Sequence, residues 1–221
     1  VAIAFDAQSS LDFAGSSSFN HTPVGTPKGV VVIIGQDTSA DNVTAVTYGG
    51  VAMTRVRYAA DTSGEAIANW MYFLGAAIPT GVQSVSITVT GTDGHTAWCG
   101  TITAAADTEV NQSNVVQADV LNPSITLPTS AGFSGIVFSG ITSGVNAPAS
   151  ITGGASFTEF TATRDYGIVS GKSEYRLMSG ANVVANWTIA SDDVAMTAAA
   201  IQEIASVISI PEVVMAPYQA A

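Results

Sequence analysis

An antiparallel, all-β sandwich of jelly-roll type, closed by an extended C-terminal tail, is the fold this sequence predicts. Three observations carry it. Apolar and polar residues alternate in short runs, as in "SVSITVT" (84–90), where Val85, Ile87 and Val89 interleave with Ser86, Thr88 and Thr90; that is the period of a strand with one buried face. Turn residues separate such runs at the short intervals found in sandwiches and barrels. No long amphipathic helix interrupts them, so the strands follow one another in hairpin-like succession and the sheets are expected to be antiparallel.

The elements follow in order. "VAIAFDA" (1–7) opens the chain as a strand, and "SSSFNHTPVGTPKG" (16–29) reads as a polar connection broken by Pro23 and Pro27. "VVVIIGQ" (30–36) is β-branched and bounded by Gly29 and Gly35, the pattern of a central strand buried on both faces. "AVTYGGVAMTRV" (45–56) alternates on either side of Gly49-Gly50, the signature of a two-residue hairpin. "IANWMYFLG" (67–75), "IPTGVQSVSITVTG" (78–91) and "TAWCGTITAA" (96–105) complete the first half. In the second half "SITLP" (124–128), "FSGIVFSGIT" (133–142), "ASFTEFTAT" (155–163), "YGIVSGKSEYRLM" (166–178) and "VVANWTIA" (183–190) are strand candidates. "VAMTAAAIQEIA" (194–205) has helix-favouring composition, but as a closing strand it completes the sheet pattern. No internal repeat stands out.

These readings place one sandwich domain over 1–208, made of two facing layers, with a long loop at 106–123 that lacks strand character. Loops of that length in compact domains are functional or packed against something. Residues 209–221 form an apolar tail punctuated by Pro211 and Pro217, expected to lie extended rather than helical. A disordered terminus and docking on a neighbouring subunit are its two readings. Docking is favoured because a free apolar tail is an aggregation hazard, and its contact residues would be Pro211, Val213, Val214, Met215, Pro217 and Tyr218.

Composition narrows the function. Six Lys+Arg against seventeen Asp+Glu leave a net charge of -11, which repels phosphate backbones and anionic membrane surfaces, so neither nucleic acid nor membrane is an expected partner. The longest apolar run, "GVVVIIG" (29–35), is of strand length, short of the roughly 18 residues a membrane-spanning helix needs. No basic and apolar leader opens the chain. Only 10% of residues are charged, far below the roughly 25% of ordinary soluble domains; such a surface is wetted by hydroxyls or covered by other subunits.

Reactive side chains are few. The one cysteine, Cys99, lies in a strand pattern and is expected to pack in the core. His21 and His95 have no partner at metal-ligand spacing, and no G-x-S-x-G elbow, phosphate loop or calcium loop is present. No catalytic residue, metal or cofactor is therefore expected. Asp192 and Asp193 read as a solvated turn, and Asp61, Glu65 and Glu159 as surface carboxylates rather than a glycosidase pair. Trp70, Tyr72, Phe73, Trp98 and Trp187 could form a sugar-stacking platform, but apolar neighbours favour the core. The sequons at Asn20, Asn42, Asn111 and Asn186 are of the number a Ser/Thr-rich chain produces by chance.

"VAIAFDAQSS", the "VTYGGVAMTRV" hairpin, "NWMYFLGAAIPTGVQSVSITVTG" and the later "WTIASDD" occur in an order that resembles a group of β-sandwich proteins of tailed-phage virions and bacterial surfaces. The resemblance covers roughly residues 1–105 well and the rest loosely. It implies a non-catalytic role: a structural protein that decorates or cements the outside of a phage head. Its partners would be the major capsid protein and copies of itself in a homo-oligomer, assembled in the host cytoplasm. Segment 106–123 and the tail depart from the plain domain and would carry the particle-specific docking. The alternative is a carbohydrate-binding or adhesion module of a phage tail or bacterial surface protein. A hydrolase on a sandwich scaffold ranks third and would need His21 or His95 to meet both a Ser and a carboxylate in a cleft.

Overall fold

The computed structural model describes residues 2–144, 151–161, 164–166, 169–189 and 193–204. Among them every helix or strand is a strand, and every pairing is antiparallel. The first half supplies β1 (Ala4–Ala14), β2 (Ser17–His21), β3 (Gly29–Gln36), β4 (Val43–Tyr48), β5 (Val51–Ala52), β6 (Thr54–Asp61), β7 (Ile67–Leu74), β8 (Gln83–Val89) and β9 (Gly94–Thr103). They form a five-stranded sheet, β1-β9-β3-β7-β6, and a four-stranded sheet, β2-β8-β4-β5. The second half supplies β10 (Thr108–Asp119), β11 (Ser124–Leu127), β12 (Ser134–Ser143), β13 (Thr152–Gly153), β14 (Thr158–Glu159), β15 (Arg164–Tyr166), β16 (Val169–Ser179), β17 (Val183–Thr188) and β18 (Asp193–Glu203). These build a sheet β10-β18-β12-β16-β14, with β15 also on β16, and a small sheet β11-β17-β13.

Three apolar layers hold the four sheets together. Val30, Val32, Ile34 and Trp70 of the five-stranded sheet meet Val46, Tyr48, Val85 and Ile87. Val137, Ile141 and Met196 meet Ile125, Leu127, Val183 and Trp187. Between these sandwiches lies a third core, in which Val31, Ile33, Met71 and Trp98 pack on Ile136, Phe138, Ala199 and Ile201. Two facing layers are the sequence expectation; the chain builds four. The two central sheets are covered on both faces, so β3 is buried along its whole length, as its β-branched run predicts.

The two halves repeat one topology. β1, β9, β3, β7 and β6 correspond to β10, β18, β12, β16 and the β14–β15 edge; β2, β8 and β4 correspond to β11, β17 and β13. Across the middle, β6 lies against β10 and β18 while β15 lies against β9 and β1, so the halves face each other in a two-fold-like way. The sequence hides this repeat because its large side chains change layers. Aligning "VIIG" (32–35) with "VFSG" (137–140) places the Ile34–Trp70 pair opposite the Ser139–Glu174 pair. The second unit takes its indole from the other sheet: Trp187 Nε1 donates to Ser139 Oγ at 2.9 Å.

Close approach of the central sheets requires glycine at 140, where an added Cβ would overlap Ile33 Cγ2. Gly140→Ala is expected to cost about 1–3 kcal/mol by overpacking, read as a lower denaturant midpoint. A polar knot shares this layer: Asn69 donates to Thr142 Oγ1 at 3.0 Å and accepts from Thr197 Oγ1 at 2.6 Å, all three buried.

Several expectations need correction. Segment 106–123 is not a loop: most of it is β10, whose polar residues pair with β18 at a sheet edge. The 16–29 connection contains β2, and the first strand runs on to Ala14. Gly49 and Gly50 do turn a hairpin, with φ of 56° and 81° that non-glycine residues rarely adopt. Only Val51–Ala52 stay in that sheet; the chain then crosses to the five-stranded sheet as β6. Among the described residues of 155–163 only Thr158–Glu159 form a strand, β14. Residues 194–203 are a strand, their alanines fully buried between two cores, and tertiary packing overrides helix propensity.

Candidate functional site

Three places gather chemistry. The first is at the open edge of the N-terminal sandwich, where the β1–β2 turn brings two edge strands together. Thr101 Oγ1 donates to Asp6 Oδ2 at 3.0 Å, so its oxygen accepts from His21 Nε2–H at 3.1 Å. That leaves His21 Nδ1 as acceptor for the Ser9 hydroxyl at 3.0 Å. The chain Ser9–His21–Thr101–Asp6 thus has the polarity of an activated nucleophile, which sequence spacing does not reveal because its members come from three strands. Its base is weak, however: burial holds the His21 imidazole down at about 4, outweighing the attraction of Asp6. Asp6 also accepts from the backbone N–H groups of Val24 and Gly25, so the network pins the 22–28 loop to β1.

His21 makes the fold acid-sensitive. Unfolded imidazole takes a proton as pH falls through about 6.5, whereas the folded one refuses it until about 4. Stability is lost across that window, by up to about 3 kcal/mol. The stability difference between His21→Gln and wild type, read from urea titrations, is therefore expected to shift in the variant's favour by up to about 3 kcal/mol as pH falls from 7 to 4.

The second place is the buried Glu174 on β16. Its Oε2 accepts from Gly154 N–H at 3.0 Å, while Oε1 has no hydrogen-bond partner among the described residues. Cross-strand pairing sets it directly opposite Glu159. Burial, reinforced by the Glu159 charge, pushes the Glu174 carboxyl up to about 9, so it is neutral at pH 7. Glu159 is ionically paired with Lys172 Nζ at 2.8 Å and accepts from Gly153 N–H at 2.6 Å.

The third place is a set of surface clefts. One of about 560 Å³ lies between the two sandwiches, walled by Thr54 and Val56 of β6, Phe73 and Leu74 of β7, and Thr108 and Val110 of β10. Another of about 430 Å³ is lined by Ile3, Leu177, Met178 and Glu203; under the strand correspondence above it is the counterpart of the first. A third of about 590 Å³ follows β4, where Arg55 and Asp41 pair at 2.6 Å. None of the three touches Ser9, His21 or Glu174.

The residues singled out by sequence fall as follows. His95 is buried, stacks on Phe13 with ring centroids 5.0 Å apart, and donates from Nδ1 to the Asp93 carbonyl. Cys99 is fully buried, and burial pushes its thiol far up. Trp70, Trp98 and Trp187 are fully buried, with Tyr72 nearly so. Asp61 is buried and caps Ser63 and Val194, rather than lying at the surface as expected. Asp193 opens β18 and accepts from Glu65 N–H at 3.1 Å. Asp192 and the tail residues Pro211, Val213, Val214, Met215, Pro217 and Tyr218 lie outside the described residues. No group of three or more potential metal ligands occurs among the described residues. No family model, curated protein or solved structure matches the chain.

Proposed function

We propose that this chain is a structural virion protein that decorates or cements the outside of a tailed-phage head, bound to the major capsid protein and to copies of itself. One observation carries the reading: the side chains best suited to chemistry are spent inside the fold. His21, His95, Cys99 and Glu174 are all enclosed by sheets, three of them engaged in internal hydrogen bonds. What faces outward is hydroxyl-rich strand surface with little charge. Large permanent interfaces are likewise depleted of ionised groups at their centres. The resemblance of residues 1–105 to virion sandwiches points the same way.

The carbohydrate-binding alternative has less support, because the three indoles have no exposed face on which a sugar could stack. The large apolar side chains that are exposed among the described residues are aliphatic, such as Val24, Val82 and Leu121. Mixing the purified chain with expanded heads that lack it tests the proposal. Saturable cosedimentation and a higher rupture temperature of the heads are expected. A chain that stays monomeric and leaves those heads unbound and unstabilised refutes it.

A further inference from the structure

We infer that one end of the N-terminal sandwich binds a calcium ion, held by the carboxylates of Asp37 and Asp93 and the side-chain amide oxygens of Gln36 and Asn42. These residues lie outside the three places described above. Gln36 ends β3, Asn42 immediately precedes β4, and Asp93 immediately precedes β9. The β3–β4 connection is clamped to the start of β9: Gly94 N–H donates to Asp37 Oδ1 at 3.0 Å, and Asp37 N–H to the Gly94 carbonyl at 3.3 Å. The carboxylates of Asp37 and Asp93 are thereby neighbours that repel each other. Among the described residues no lysine or arginine pairs with either. Asp41, the other acid of the connection, is already spent, accepting from Arg55 Nη1 at 2.6 Å and from Trp70 Nε1 at 3.0 Å.

Two buried amides point to the ion independently. Gln36 is only 1% exposed, yet its Oε1 has no hydrogen-bond partner among the described residues. Its Nε2 lies 3.5 Å from Asp93 Oδ2, so the amide rests against that carboxylate at the limit of hydrogen bonding. Asn42, also buried, donates from Nδ2 to Asp93 Oδ2 at 3.1 Å. That orientation sets Asn42 Oδ1 3.5 Å from His95 Nε2. Since His95 Nδ1–H is committed to the Asp93 carbonyl at 2.8 Å, Nε2 of the neutral ring is an acceptor, and two acceptors face each other. Turning the Asn42 amide over gives His95 a donor and aims Oδ1 at Asp93; turning the Gln36 amide does the same with Oε1. Amide oxygens against a carboxylate are stable only with a cation between them. An all-oxygen donor set of irregular geometry suits calcium, which fills its remaining positions with carbonyls and water, better than magnesium, which demands a near-ideal octahedron. Two charged ligands place the affinity in the weak range, on the order of 0.1–1 mM.

This inference is independent of the virion reading. The test melts the full chain, stripped with EDTA, in calcium chloride up to 10 mM and in magnesium chloride at the same concentrations. Calcium at ten times its dissociation constant is expected to raise the melting temperature by about 3–6 °C, with little response to magnesium. Calorimetric titration of calcium into the chain is expected to give one site. Asp93→Asn, which keeps an oxygen for Asn42 Nδ2, and Asp37→Asn, which keeps one for Gly94 N–H, are each expected to weaken calcium binding at least about tenfold. In EDTA either variant is expected to melt no lower than wild type, because a repulsion has been removed; a lost calcium response is then not a lost fold. A wild-type chain that neither binds calcium nor shifts its melt overturns the inference. An equal response to magnesium would assign the effect to screening of the net charge of -11 and overturn it too, as would a calcium shift that survives in both variants.

Discussion

Glu174→Gln raises the stability of this protein at pH 8 and removes much of its loss of stability toward alkaline pH. The carboxyl ionises at about 4.5 when unfolded but only at about 9 when folded. Between these values the unfolded state sheds a proton that the folded state keeps, so each pH unit subtracts up to about 1.4 kcal/mol. The loss begins above pH 4.5, reaches as much as about 5 kcal/mol at pH 8 and levels off above 9. Glutamine is isosteric, keeps an oxygen for Gly154 N–H, and carries no charge to bury. Thermal melts are expected to shift upward by roughly 10 °C at pH 8, using about 2–4 °C per kcal/mol for a chain of this size, and to shift little near pH 4.5. A wild-type midpoint that stays flat from pH 5 to 9 contradicts the neutral buried acid. Combined with the acid limb from His21, the wild-type profile peaks near pH 5–6.

Phe138→Ala is expected to destabilise the whole molecule by about 3–5 kcal/mol. Phe138 is fully buried in the layer between the two sandwiches. Its ring lies within 6.4 Å, centroid to centroid, of Phe5, Phe160 and Tyr175, and Phe5 belongs to the other half of the chain. Because that layer is shared, both sandwiches should lose stability together. Scanning calorimetry is expected to give a single transition in both proteins, moved to lower temperature in the variant. Two separated transitions, with only the second unit affected, would show that the halves fold independently.

Much of the architecture was legible residue by residue. The alternation in 84–90, the glycine pair at 49–50 and the β-branched run at 30–36 each map onto the element they predict, because strand period and turn chemistry are local properties. β10 was missed for a physical reason: as an edge strand dominated by polar residues it lacks the apolar alternation that marks a buried face. β2 was hidden by the prolines that follow it. The internal repeat was invisible because packing constrains volume across a layer rather than identity at a position. Trp70 and Trp187 fill the two sandwich cores from opposite sheets, so equivalent positions hold unlike residues.

The candidate sites were less legible still. Ser9, His21, Thr101 and Asp6 are far apart in the chain, and only strand pairing makes them neighbours. Glu159 looked like any surface carboxylate until pairing set it beside Glu174, and Glu174 carried no mark of burial in "GKSEYRLM".

By itself, the sequence determined that this chain is built of antiparallel strands and that its tail is apolar, since periodicity, turn residues and composition act locally. Only the tertiary structure decided that the strands stack as four sheets in two matched sandwiches. Stacking also decided which polar groups are sealed inside and where the clefts open, because burial depends on what a distant segment brings to the other side of a residue.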